Sequence, residues 1–327
     1  IPRNQMFAKI FHLSETKNGK RQAYEGEIET TDLGEIIDWI DADTPGWVPD
    51  GPEIKKYFTE RKKQVKTYQT VHKIGKRIKT KKSRLVVKGL AKGFQLLPFQ
   101  KKPVDHMIQT LSIGGGAANF SVPGAGKTIM TYAAFHKLKQ AGIVDQLWVI
   151  GPVPSFRPWE DEYKVIFGKN IDITQRIKRY HNIPQKDRMH VINQLKDFDV
   201  VLTSYGTAAN DIDAIKRNWS KQNAHKIMLV LDESHHIKSI KEKTGGKNNP
   251  TTAVLMISLG VSATKRAILS GTPMPHEWDD LYSQFKFLYP GPLPFGERNE
   301  FANMTHETIE GRIQGIWERV TFIDLKD

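Results

Sequence analysis

Cysteine is missing altogether from the 327 residues, which excludes disulfides and thiolate-ligated metal sites and fits a reducing compartment. No stretch reaches the ~18 consecutive apolar residues that a membrane-spanning helix needs. The first residues also lack the charged-then-apolar pattern of a secretory leader. The expected location is therefore cytoplasmic, or the nucleoid or nucleus. Internal repeats at solenoid periods are absent too. What is present can build a core: 39% of residues are hydrophobic, with seven Trp and fifteen Phe, more than a disordered chain carries. The length suits one large α/β domain with a smaller appendage.

Acids are scarce in one region. From Glu53 to Lys102 there are seventeen Lys/Arg and two acids, Glu53 and Glu60, a local balance of +15. The whole chain carries +13, so everything outside that stretch sums to −2. The positive charge is thus a patch. Such a patch attracts polyphosphate backbones and gains from counterion release, although a solvated basic linker is the commoner fate of a charge run. Standing beside the nucleotide motif described below, it favours nucleic-acid contact.

Three regions follow from composition. Residues 1–52 read as a small accessory unit, with a short strand around Phe7, Ile10 and Phe11 and an amphipathic helix through Leu33, Ile36, Ile37, Trp39 and Ile40. Turn signals stand at Asp43-Thr44-Pro45-Gly46 and Pro49-Asp50-Gly51-Pro52. Residues 53–89 are basic with interspersed Tyr57, Phe58, Tyr68 and Ile78, which fits a helix or helical pair with a positive face. Aromatics there could stack bases, but packing on the next domain is the stronger expectation. From residue 90 to 327 strands and helices alternate, the pattern of an α/β fold with a parallel sheet covered by helices on both faces. Expected strands are Ala117 to Val122, Leu147 to Ile150, Val200 to Thr203, Ile227 to Leu231 and Ala267 to Leu269, and Val191 to Phe198 has a helical pattern.

The chemistry centres on Ser121-Val122-Pro123-Gly124-Ala125-Gly126-Lys127-Thr128, followed by an apolar run from Ile129 to Leu138. Glycines let successive backbone N–H groups turn inward, and the helix that follows adds its positive dipole end. Lys127 can reach the β- and γ-phosphates, and Thr128 can hold Mg²⁺. The full pattern G-x-x-x-x-G-K-[ST] is not met, because Ser121 occupies the first glycine position. Downstream, the most apolar strand ends in Asp232-Glu233, and another ends in Ser270-Gly271-Thr272-Pro273. Ligands of open α/β sheets bind beyond the carboxyl ends of the strands. An acid placed there needs a neutralising partner. Mg²⁺ would serve, with Asp232 as its ligand and Glu233 orienting and deprotonating the attacking water. The plainer reading is that both acids cap the next helix, and the phosphate loop upstream favours the catalytic one.

Six motifs in order make the chain resemble the first RecA-like lobe of a superfamily 2 helicase, most closely the Swi/Snf-type DNA translocases. Leu97-Pro98-Phe99-Gln100 is similar to the adenine-sensing motif, with Gln100 in the base-reading position. Gly124 to Thr128 matches the nucleotide-binding loop, and Pro152 to Trp159, with Glu160 and Tyr163, resembles the next motif and its tryptophan-plus-acid tail. Val200-Val201-Leu202-Thr203-Ser204-Tyr205, Asp232-Glu233-Ser234-His235 with Ile237-Lys238, and Ser270-Gly271-Thr272-Pro273 resemble the remaining motifs. Trp278 to Pro290 is similar to the helix that follows them. The resemblance spans about Leu90 to Pro290 and implies ATP and Mg²⁺ as ligands and double-stranded DNA as partner. It also implies that Gln100, Gly124, Ala125, Gly126, Lys127 and Thr128 bind nucleotide. Catalysis then falls to Lys127, Asp232 and Glu233, coupling to His235, Ser270 and Thr272, and DNA-backbone contact to Pro152, Ser155, Thr203 and Ser204. Three departures stand out: Ser234 in place of the box alanine, Ser121-Val122 where an acidic pair usually precedes the loop, and His276 where Asn is usual.

After Pro290 only thirty-seven residues remain, too few for the second lobe whose arginines stabilise the transferring phosphoryl group. Losing such an arginine costs on the order of 10³–10⁵ in rate, so these residues alone are expected to bind ATP and hydrolyse it poorly. Two neighbouring readings are a restriction-type motor subunit, or an RNA helicase, of the same superfamily. A catalytically silent DNA-binding scaffold is a further rival, which intact Lys127, Asp232 and Glu233 oppose. A prokaryotic anti-phage role is open.

Overall fold

The computed structural model describes residues 7–17, 20–29, 48–50, 52–80, 83–221, 226–237, 251–274, 278–291 and 293–325. The chain divides into two compact units, residues 1–69 and 70–327.

In the first unit β1 (Phe7–Lys17) pairs antiparallel with β2 (Lys20–Glu29) and with the short β3 (Val48–Asp50), in the order β2-β1-β3. The strand expected near Phe7 is thus much longer and belongs to a hairpin, whose register runs from Phe7↔Glu29 to Lys17↔Lys20 with an irregularity between Ala8 and Phe11. Pro49 and Asp50, read as part of a turn, lie instead in β3. As an edge strand β3 tolerates a residue without an N–H. The helix expected over Leu33 to Ile40 and the turn at Asp43 to Gly46 lie outside the described residues.

A 29-residue helix, α1 (Pro52–Thr80), follows. From Thr70 on it belongs to the second unit, where Val71, Ile74 and Ile78 are buried and Lys73, Lys76, Arg77 and Lys79 are exposed. That spacing puts an apolar stripe on one side and cations on the other. Of the residues interspersed in this stretch, Ile78 is buried and Tyr68 half-buried; the side chains of Tyr57 and Phe58 lie outside the described residues.

The rest of the second unit alternates as its sequence pattern implies: α2 (Pro98–Ser112), β4 (Ala117–Asn119), α3 (Lys127–Gln140), β5 (Gln146–Ile150), α4 (Phe156–Phe167), β6 (Ile177–Tyr180), α5 (Gln185–Gln194), β7 (Val200–Thr203), α6 (Tyr205–Asn210), α7 (Ile212–Lys221), β8 (Ile227–Asp232), α8 (Thr252–Ser262), β9 (Lys265–Leu269), α9 (Asp279–Leu288), α10 (Arg298–Ala302), α11 (His306–Ile313) and β10 (Trp317–Glu318). Seven strands form one sheet in the order β10-β4-β9-β8-β5-β7-β6, parallel throughout. Every residue of β5, β7 and β8 is buried, the signature of central strands covered on both faces. Alternation assigns the faces: Leu147, Val149, Met228 and Val230 join the cluster containing Tyr132, Phe135 and Trp159 from α3 and α4. Trp148 points the other way and meets Trp219 of α7 edge-on, 5.2 Å between ring centres.

Some boundaries differ from the sequence reading. β4 ends at Asn119, but Phe120 and Val122 still donate to the carbonyls of Glu318 and Val320. The helix read over 191–198 is α5, ending at Gln194. Two strands escaped the pattern altogether. β6 buries only Ile177 and Tyr180 at the sheet edge, and β10 is two residues long.

Inside this unit His106 of α2 is wholly buried with its Nε2 2.7 Å from the Gly315 carbonyl. Burial pushes its pKa down to about 4, the bond to Gly315 offsetting this only in part. The neutral ring therefore favours the fold above its unfolded pKa near 6.5, and that contribution is lost as pH falls toward 4. Its size is on the order of 3 kcal/mol. Urea unfolding at stepped pH should show that His106→Gln flattens the acid limb between pH 6.5 and 4. Parallel profiles for variant and parent would contradict it.

Candidate nucleotide site

The loop between β4 and α3 turns on two glycines in the left-handed region, Gly124 at φ +82° and Gly126 at φ +80°. A Cβ on Gly124 would meet nothing within 4 Å, whereas one on Gly126 would stand 2.6 Å from the Gln100 Nε2. Gln100 lies behind the loop, donating to the Ala125 carbonyl at 3.1 Å and accepting from the Leu97 N–H at 3.1 Å. Lys127 opens α3, and its Nζ donates to the Ser121 carbonyl at 3.0 Å. Thr128 is half-buried in the same turn. Ser121, in the first glycine slot, is a brace. Its backbone N–H and hydroxyl both donate to Asn119 Oδ1, and its Oγ accepts the Val320 N–H at 2.9 Å.

Asp232 ends β8, buried. Its Oδ2 accepts the Trp159 indole N–H at 2.9 Å, its Oδ1 the Glu233 N–H at 3.1 Å, and its carbonyl the Tyr205 hydroxyl at 2.9 Å. Glu233 takes φ +50°, a conformation that non-glycine residues adopt at a cost and usually where the surroundings require it. His235 Nδ1 stands 3.3 Å from Glu233 Oε2 and 3.2 Å from Ser270 Oγ, and Ser270 Oγ also accepts the Thr272 N–H. Ser234 donates to Gln284 Oε1 at 2.6 Å, and Gln284 Nε2 donates to the Pro273 carbonyl at 2.7 Å. The acid turn is therefore tied to Ser270–Pro273 at two points. Lys238 and His276 lie outside the described residues.

Charge links the two halves. Burial pushes the Lys127 ammonium pKa down, while Glu233, Asp232 and Glu162 pull it back up. Sequence reasoning missed Glu162. Burial raises its carboxyl pKa, the Ile129 backbone N–H lowers it, Asp232 raises it and Lys127 lowers it, and among the described residues its Oε2 has no hydrogen-bond partner. The acid singled out from sequence, Glu160, instead forms a two-pronged pair with Arg179, 2.6 Å at each contact, and Tyr163 donates to Asp199. Helical phase was the available signal: Glu162 stands three residues beyond Trp159, on the same face of α4.

The four residues read as backbone contacts lie at the carboxyl ends of β5 and β7. Pro152 is half-buried and its carbonyl accepts the Ser155 hydroxyl at 2.9 Å. Ser204 caps α6 by accepting the Thr207 N–H at 3.1 Å. Thr203 is wholly buried, and among the described residues its hydroxyl has no partner.

A family model described as the SNF2-related domain matches residues 99–321. The fold is similar to the Sulfolobus solfataricus SWI2/SNF2 ATPase core in complex with dsDNA, with a TM-score of 0.58 and 25% identity, covering 74% of this chain and 47% of that one. Among curated proteins, the chain is 28% identical over 216 residues to Helicase SWR1 of Mycosarcoma maydis, covering 64% of this chain and 10% of that protein. Identity to the Danio rerio Chromodomain-helicase-DNA-binding protein 8 is 23% over 215 residues, covering 62% and 8%. The chain thus spans about a tenth or less of these relatives' lengths.

The two loop glycines make a paired prediction. Alanine at either position meets the left-handed cost of about 1–2 kcal/mol, but only Gly126→Ala must also displace Gln100. Thermal denaturation should therefore show a larger loss for Gly126→Ala than for Gly124→Ala. Equal losses would mean that Gln100 yields freely.

Proposed function

The chain belongs to the SNF2-related family, and from that premise we propose that it is the first motor lobe of an ATP-dependent translocase on double-stranded DNA. The observation that carries this reading is the parallel strand order β4-β9-β8-β5, which brings Lys127, Asp232 with Glu233, and Glu162 to one edge of the sheet, where the three carboxylates raise the Lys127 pKa against its burial. One half-buried ammonium among three carboxylates leaves an excess of negative charge, and the left-handed glycines beside it leave the loop amides free to turn toward an anion. That donor set suits a triphosphate with Mg²⁺, which commonly takes one or two carboxylates and shares its other ligands with water and phosphate.

Lys127 would exchange its bond to the Ser121 carbonyl for the β- and γ-phosphates, with the α3 N-terminus and the loop amides beside it. Thr128 and Asp232 would hold the metal, which supplies charge neutralisation at the phosphates when bound. Glu233 would orient the attacking water and accept its proton, its carboxylate steadied by His235. Ser270 and Thr272, joined to His235, would register the state of the site. Gln100 would face the adenine. Pro152, Ser155 and Ser204 would meet one strand's phosphates, with Thr203 behind them, and the cations of residues 53–102 would add salt-sensitive affinity without sequence preference. Transition-state arginines would come from a second lobe.

ATP turnover by the complete protein tests this. Duplex DNA should raise the rate, whereas single strands and RNA should not. RNA acting in its place would move the assignment to the RNA helicases. Glu233→Gln should bind nucleotide but lose turnover by about two to four orders of magnitude, and Lys127→Ala should lose both. Full biological activity in the Lys127→Ala protein would favour a silent scaffold instead.

A further inference from the structure

One continuous stretch of chain, residues 151–162, bears on Asp232 at three points. Gly151 leaves β5 so close to it that a Cβ there would stand 3.0 Å from the Asp232 Cβ and 3.5 Å from its Oδ2. After the tight turn Val153–Ser155, α4 begins, and its fourth residue, Trp159, is wholly buried. The Trp159 indole N–H, a group that donates and never accepts, points at Asp232 Oδ2 from 2.9 Å. One helical turn on, Glu162 acts on Asp232 by charge.

A structural pin for α4 would need only the ring. Trp159 already has that contact, edge-on to Tyr132 with 5.1 Å between ring centres. The buried N–H needs an acceptor, and the one it takes is the Asp232 carboxylate and not a backbone carbonyl. A carboxylate's terminal torsion is broad and roughly two-fold, so an aspartate beyond a strand end would sample several orientations. The indole N–H on one oxygen and the Glu233 N–H on the other remove that freedom. Among the described residues each oxygen accepts one bond, which leaves it a second lone pair.

Resting on the nucleotide reading above, we propose that Trp159 is the positioning residue for Asp232, fixing the carboxylate in the orientation that receives the nucleotide's magnesium. Hydrogen-bonded partners of metal ligands typically contribute 10- to 100-fold in metal affinity.

The test is Trp159→Phe, which keeps a buried ring and deletes the N–H. Binding of a fluorescent ATP analogue to the full chain is followed by anisotropy across a Mg²⁺ series and in EDTA. The Mg²⁺ concentration for half-maximal coupling should rise 10- to 100-fold, while affinity in EDTA stays within about twofold. In the Asp232→Asn background the same change should add no further loss of Mg²⁺ dependence. An unchanged Mg²⁺ requirement overturns the proposal, and so does a loss equal with and without metal, which is what a structural pin would give. If Trp159→Phe does not fold, benzothienylalanine at 159, with sulfur in place of the N–H, takes its place under the same criteria. A parent chain that binds no nucleotide at all removes the nucleotide reading and this proposal together, an outcome distinct from both.

Discussion

A buried carboxylate at the end of the most apolar strand sets the terms for the nucleotide face. β8 delivers Asp232 into an environment where all six of its residues are buried. An ionised group there costs several kcal/mol in lost hydration, and each hydrogen bond to a charged group returns about 1.5–3 kcal/mol. Two such bonds reach the carboxylate, from Trp159 and from the backbone of Glu233. Tyr205 secures the adjoining carbonyl, and its own hydroxyl is held protonated by burial. Together the two bonds return an amount comparable with that cost, and the Lys127 ammonium adds an opposite charge nearby.

Parallel topology explains why such different stretches meet there. With the order β4-β9-β8-β5-β7 and every strand running the same way, five carboxyl ends open on one edge. They bring the phosphate loop, Ser270, Asp232, Gly151 and Ser204–Tyr205 side by side. The fully buried strands β5, β7 and β8 announced themselves as unbroken apolar runs, and β9 ends in one. That is why the sheet and most of its functional edge were readable from residue order. Edge strands were not: β6 exposes its middle and β10 is too short to show a period. The hairpin of β1 and β2 was equally hidden, because sequences such as Lys20–Glu29 alternate without a clear apolar face.

The site was legible where chemistry is local and illegible where it depends on a side chain's aim. Gly124, Gly126 and Lys127 carry their purpose in their spacing. Trp159 does not, because its acceptor lies seventy-three positions away in sequence. Glu160 and Glu162 show the difference within one helix. Both are acids beside the same tryptophan. A rotation of about 100° per residue sends Glu160 out to Arg179 and turns Glu162 in toward Lys127 and Asp232. Trp159 as a fixed reference was enough to choose between them.

The two serine departures obey one physical rule. A polar side chain in a buried position is tolerated when its hydrogen-bonding capacity is used. Ser121 and Ser234 both sit at zero exposure with partners for their hydroxyls. At position 121 the hydroxyl joins β4 to the segment after β10, stiffening the start of a loop that lacks its first glycine. At position 234 an alanine would leave Gln284 Oε1 without its donor. Instead Ser234 and Gln284 connect the acid turn to Pro273, while the next residue, His235, connects it to Ser270. Two independent bonds across a three-residue span prevent the Ser270–Pro273 segment from pivoting about a single contact.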